Sequence, residues 1–110
     1  TPEAFRKVTR LSQHIAFLKD FFRAYKDFTD TQIDTIEILL SKLYARFGIT
    51  DSTDYSMKKP SDFPIMEDFY KLCEEEFYGY DKQRKYLYTE ETLQEVCLGI
   101  HSMCVGAESK

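Results

Sequence analysis

No stretch of this chain stays apolar over the about 18 residues that a membrane-crossing helix needs, so no membrane insertion is expected. The beginning lacks the basic-then-apolar pattern of a secretory signal, and three cysteines (Cys73, Cys97, Cys104) make an odd count. Both point to reduced thiols in the cytoplasm rather than to a disulfide framework. The four glycines (Gly48, Gly79, Gly99, Gly106) are scattered, and none precedes a Gly-Lys-Ser or Gly-Lys-Thr step. The G-x-x-x-x-G-K-[ST] phosphate loop is therefore absent, and these residues cannot house ATP chemistry alone. No Cys or Ser has a recognisable nucleophile setting, and the carboxylates sit in caps, loops and charged faces rather than in an acid-base pair. A net charge of -4 leaves no general surplus of Lys and Arg for gripping nucleic-acid phosphates, so no direct nucleic-acid contact is expected. No run alternates at period two long enough to make a strand, no segment repeats, and no low-complexity tract occurs.

What is present is the composition of one globular domain. The 110 residues are 43% apolar and 31% charged, with nine phenylalanines and eight tyrosines, enough for a single core without staples. The most legible stretch runs from Thr29 to Gly48. Thr29 and Gln32 have the spacing of a capping box, and Phe28 and Ile33 flank it as a hydrophobic staple. Ile33, Ile36, Leu40, Leu43 and Phe47 then lay one apolar stripe along roughly 27 Å of helix. Gly48 ends it in the left-handed conformation.

Two further regions supply partners for that stripe. From about Glu3 to Asp27, Phe5, Val8, Leu11, Ile15, Leu18, Phe22 and Tyr25 recur three or four apart, which predicts a long amphipathic helix. Phe17, Phe21 and Phe28 widen its apolar face toward a second neighbour or an outside surface, and His14 lies beside the stripe as a partly exposed histidine. The short link around Phe28 to Asp30 makes these two helices an antiparallel hairpin. Residues 49–63 carry loop and turn chemistry with room for one irregular turn. Pro64 is placed at the first position of a third helix reaching about Tyr78, with Ile65, Phe69, Leu72, Cys73 and Phe77 inward. Glu74, Glu75 and Glu76 read as a solvated face. Thr89 caps a fourth helix, with Glu90 and Glu91 at its positive end and Tyr88 stapled to Leu93. Leu93, Val96, Cys97, Ile100 and Cys104 form its inward stripe, and the tail beyond is expected to be loose. The fold class is all-α, a small bundle of about four helices in a single domain spanning 1–110.

Two constellations bear on function. Cys97, His101 and Cys104 share one helix face, and Cys73 could complete a zinc tetrahedron, but the tight Cys-x-x-Cys turn of structural zinc sites is missing. Cysteine is a common core residue, so packing is expected and no metal. Around Gly79, Phe77, Tyr78, Tyr80, Tyr86 and Tyr88 interleave with Lys82, Arg84 and Lys85. Such interleaving can serve a protein partner or a single nucleic-acid strand, or the rings can simply cover the end of the bundle. The candidate partner-binding residues are Tyr78, Tyr80 and Tyr86 in this loop, and Phe17 and Phe21 on the first helix.

The run Phe17-Leu-Lys-Asp-Phe-Phe22, the helix Thr31 to Tyr44, the run Tyr44-Ala-Arg-Phe-Gly48-Ile-Thr-Asp51, and Pro60-Ser-Asp-Phe-Pro64-Ile-Met-Glu-Asp68-Phe-Tyr70 together resemble one region of a known family. It is the helical part of the VirB-type conjugal-transfer ATPases, the cytoplasmic motors of type IV secretion, in the form carried by mobile elements of Gram-positive bacteria. The tail Gly106-Ala-Glu-Ser-Lys110 resembles the segment leading back into the motor. The similarity covers most of the chain, yet it rests on packing, turn and capping residues and carries over no catalytic one. It implies a non-catalytic helical subdomain inside a RecA-like motor, after the phosphate loop and before the strand with the magnesium-site acid. ATP and magnesium would belong to the parent, a hexameric or dimeric motor. The implied partners are the rest of the parent ATPase and other secretion-system proteins. The implied location is the cytoplasm, at the inner face of the cell membrane through the parent complex. The alternative is a free-standing helical adaptor or regulator that binds a partner through its aromatic end.

Overall fold

The computed structural model describes residues 10–81 and 87–105 of the chain. Among these residues there are four helices: α1 (Arg10–Lys26), α2 (Asp30–Arg46), α3 (Met66–Tyr78) and α4 (Glu90–Val105). Two single 3-10 turns, Tyr55–Met57 and Pro60–Asp62, stand in the link between α2 and α3 where one irregular turn is predicted, and there is no strand among the described residues. The all-helical bundle read from the apolar spacing is the fold. Phe5 and Val8 of the expected first helix, residues 82–86 and the 106–110 tail lie outside the described residues. Among the described residues no helix is long and apolar enough to cross a membrane.

α2 is the central element because both its ends are locally coded and its sides are apolar. The Thr29 hydroxyl accepts from the Gln32 N-H at 3.2 Å while the Gln32 side chain accepts from the Thr29 N-H at 2.9 Å, which closes the capping box. At the other end Gly48 takes φ +75°, the Gly48 N-H donates to Ala45 O at 3.0 Å and the Ile49 N-H to Tyr44 O at 2.9 Å. This is the Schellman arrangement, whose companion is an apolar contact just past the helix. Ile49, assigned to the loop by sequence, is accordingly a core residue. Between the caps α2 buries Ile33, Thr35, Ile36, Leu39, Leu40, Leu43 and Tyr44, and it packs against α1, α3 and α4. Its buried face is wider than the predicted stripe because three helices surround it. Thr35 is tolerated there because its hydroxyl donates to Thr31 O at 3.1 Å.

α1 and α2 form the predicted antiparallel hairpin. Its register is written in three cross-links: His14 to Tyr44 at 2.7 Å, Lys19 to Glu37 at 2.6 Å and Arg23 to Asp30 at 2.6 Å. The two ion pairs are solvent-screened and add little, so the alignment is held by Leu11, Ile15 and Phe22 against the α2 core. Two assignments on this side change, one inward and one on the widened face. Tyr25 is exposed and stacks on Phe21, one turn away on the outer side of α1. Phe28 belongs to the link, buried against Phe22 and Gly99, rather than to an outer face of α1.

α3 and α4 are antiparallel as well: the Cys97 thiol donates to Cys73 O at 3.3 Å and the Cys104 thiol to Met66 O at 3.8 Å. The predicted start of α3 is corrected. The helix begins at Met66, with Ile65 as cap residue in extended backbone, because the Asp68 carboxylate accepts the Ile65 N-H at 2.8 Å. Pro64 therefore precedes the helix, and Ile65, predicted inward, is 63% exposed. Phe69, Leu72 and Cys73 are buried and Phe77 half-buried. On α4 the Thr89 hydroxyl accepts the Thr92 N-H at 3.1 Å, while Leu93, Val96 and Ile100 enter the core with Met103. Cys97 and Cys104 stay half-buried at its edge.

Candidate partner-binding surfaces

Four-residue spacing places Phe17, Phe21 and Tyr25 on one face of α1, outside the core that Ile15 and Phe22 enter. Phe17 is 65% exposed, and the Phe21 and Tyr25 rings stack at 5.6 Å between centroids with planes 29° apart. The edge of Phe21 also meets Phe22 at 5.4 Å, which anchors the ridge to the buried core beneath it. Both candidate residues of the first helix thus lie on the same exposed face, Phe21 in contact with Tyr25 and Phe17 one turn before it.

The Gly79 end divides its tyrosines. Tyr78, the last residue of α3, is 80% exposed. Tyr80 turns inward, and its hydroxyl donates to Tyr88 O at 3.0 Å. The Tyr88 hydroxyl in turn donates to Glu76 at 2.8 Å, a carboxylate that also holds the Lys42 ammonium at 2.9 Å. Burial works to raise the Glu76 carboxyl, and the hydrogen bonds from Lys42 and Tyr88 overcome it, leaving it below the usual range. Tyr80 and Tyr88 therefore close the end of the bundle while Tyr78 faces solvent. Tyr86, with Lys82, Arg84 and Lys85, lies outside the described residues.

Tyr78 borders a groove between α3 and α4 that sequence reasoning did not assemble. Tyr70, Glu74 and Tyr78 recur at four-residue steps along α3, and Cys97, Leu98 and His101 face them from α4, around about 230 Å³. The Tyr70 and His101 rings meet at 5.4 Å, and the Tyr70 hydroxyl donates to Glu74 Oε2 at 3.1 Å. His101 is thus engaged with an aromatic ring, and among the described residues no three His, Cys, Asp or Glu side chains gather as a metal site. The hydrogen bond with Cys97 and burial push the Cys73 thiol far up, so it is an unreactive core group.

At the far end of the hairpin His14 meets Tyr44, with ring centroids 5.4 Å apart, and the Arg10 guanidinium lies 5.2 Å over the Tyr55 ring. Burial, then the adjacent Tyr55, pushes the Tyr44 phenol up to about 12. Burial also holds His14 below its ordinary 6.5. The unfolded chain then takes up this proton before the folded one does. Stability from His14 is full above pH 6.5 and is lost as pH falls toward the lower folded value. The urea midpoint is expected to fall between pH 7 and pH 5, with a shallower slope in His14→Gln; equal slopes would remove His14 as the cause. Glu76 acts in a separate, more acidic window, since its stabilisation is lost only as pH falls below 4.5.

Comparison with protein-family models, with curated proteins and with solved structures finds no match for this chain. The functional reading therefore rests on the surfaces themselves and on the sequence resemblance.

Proposed function

We propose that this chain is a non-catalytic helical module of a conjugal-transfer motor ATPase, joined to the rest of that motor, or to its secretion partners, through the aromatic ridge of α1. The exposed ridge of Phe17, Phe21 and Tyr25 carries the contact half of this reading. Aromatic side chains are enriched in protein interfaces, and a contiguous apolar surface is the usual mark of one. The motor half is supported by the resemblance of the runs around Phe17–Phe22, Tyr44–Asp51 and Pro60–Tyr70. In this reading ATP and magnesium are held elsewhere in the parent, in the cytoplasm, and the module relays or receives force through contact.

The gene flanking this chain tests the motor half. A phosphate loop upstream and an acid-bearing strand downstream are expected, and a stop codon directly after Lys110 would overturn it. The ridge is tested by Phe17→Ser with Phe21→Ser. Phe17 is the more exposed ring and Phe21 touches Phe22 at its edge, so the isolated domain should stay folded, with its urea midpoint lowered by the equivalent of no more than about 2 kcal/mol, mostly at Phe21. Titration calorimetry against the remainder of the parent, supplied in trans, should show affinity at least about tenfold weaker, or about 1.4 kcal/mol. Unchanged affinity would place the contact elsewhere.

A further inference from the structure

We propose that the groove between α3 and α4 receives the guanidinium of an arginine on a protein partner, held between the Tyr70, Tyr78 and His101 rings and the Glu74 carboxylate. The proposal does not rest on the motor reading, since the groove shares no residue with the ridge of α1.

Three consecutive glutamates stand near the C-terminal end of α3, where the helix dipole disfavours negative charge and favours a cation. Two have one: Glu75 pairs with Arg46 at 3.0 Å and Glu76 with Lys42 at 2.9 Å, both cations coming from α2. Glu74 points away from α2 into the groove, and among the described residues it forms no ion pair. Its Oε2 accepts the Tyr70 hydroxyl at 3.1 Å, which fixes the carboxylate and leaves Oε1 for a further donor. Tyr70 and Tyr78 line the groove beside it, and a tyrosine ring attracts a cation, the second half of a cation's environment. Tyr70 and His101 are already held against each other at 5.4 Å, with planes 58° apart, so part of the wall is formed before anything binds. Leu98, 64% exposed, offers apolar surface for the methylene stem of the incoming side chain.

Size and chemistry select the occupant. The volume of about 230 Å³ lies below the range of small-molecule pockets, about 300–1,000 Å³, and matches one inserted side chain better than a cofactor. Arginine fits better than lysine because its planar guanidinium stacks on rings while donating edgewise to a carboxylate, whereas an ammonium is a compact, strongly hydrated charge. The net charge of -4 adds long-range attraction for a basic partner segment.

Peptide titration followed by NMR tests this. The probe is acetyl-Gly-Arg-Arg-Gly amide, and its control is the same peptide with citrulline, which keeps the shape and removes the charge. The arginine peptide is expected to give saturable shifts of the Tyr70, Tyr78 and His101 ring signals and the Leu98 methyls, with the citrulline peptide at least tenfold weaker. Glu74→Gln, which keeps an acceptor for the Tyr70 hydroxyl, and Tyr78→Ala, at an exposed position, should each weaken arginine binding at least fivefold with the urea midpoint unchanged. Phe17→Ser with Phe21→Ser should leave it unaltered, which separates this site from the ridge. The proposal is overturned by any of three results: no saturable shift, equal binding of the citrulline peptide, or full affinity in both groove variants. Shifts spread over the other acidic positions instead of the groove would also overturn it, as non-specific attraction.

Discussion

Phe22→Ala is expected to lower the stability of the domain by about 3–5 kcal/mol, the range for truncating a buried phenylalanine. Phe22 is 1% exposed and joins three parts of the chain: its ring meets Phe21 of α1 at 5.4 Å, Phe28 of the link at 6.3 Å and Phe69 of α3 at 5.7 Å. Truncation opens a cavity at that junction, and stiff aromatic rings on three sides collapse into it poorly. Domains of this size have about 5–15 kcal/mol in all, so the loss is about a fifth of the total at the least and nearly all of it at the most. Urea unfolding followed by far-UV circular dichroism measures the loss. A midpoint shift equivalent to less than about 1 kcal/mol would mean that Phe22 does not seal α1 onto α3.

The hairpin was legible in the sequence because its determinants are local. Thr29 with Gln32, and Gly48 with Ile49, are short codes that act within one turn of helix, and the structure uses both. The start of α3 differs from the expected one because two local codes compete there. Proline favours the first helical position, but Asp68 lies three residues after Ile65 and captures its N-H, so the cap falls one residue beyond Pro64. Burial of Leu39, Tyr44 and Ile49 depends on which helices arrive from elsewhere, and no local spacing states that.

The candidate sites divide in the same way. Phe17 and Phe21 stood out because they fall off the α1 stripe, a property of one helix. Tyr78 and Tyr80 look equivalent in sequence, yet the helix ends between them at Gly79, which sends one ring outward and the other onto Tyr88. The α3 side of the groove did carry a signal in the four-residue spacing of Tyr70, Glu74 and Tyr78. The run Glu74-Glu75-Glu76 masks it, since adjacent glutamates look alike in sequence while the carboxylates of Glu75 and Glu76 point to Arg46 and Lys42. His101 and Leu98 come from α4, nearly a quarter of the chain later, and only the antiparallel packing of Cys73 against Cys97 brings them opposite.

Gly99→Ala is expected to destabilise the domain although the change improves helix propensity. Gly99 sits in the middle of α4, where alanine would normally gain about 0.8–1.0 kcal/mol. A Cβ built there would lie 2.5 Å from the Phe28 ring tip and 2.6 Å from the adjacent ring carbon, well inside contact distance. Phe28 is buried against Phe22 and cannot swing its ring into solvent without opening the core. Overpacking of this kind costs about 1–3 kcal/mol, which outweighs the propensity gain in most of that range. The test is the sign of the effect in two backgrounds. In the parent, the alanine should lower the urea midpoint. In Phe28→Leu, which lacks the outer ring atoms, the same alanine should raise the midpoint by the equivalent of about 0.5–1 kcal/mol, since only the propensity gain remains. Stabilisation in both backgrounds would mean that α4 moves off Phe28 at little cost and that the glycine is not what lets the link pack so close.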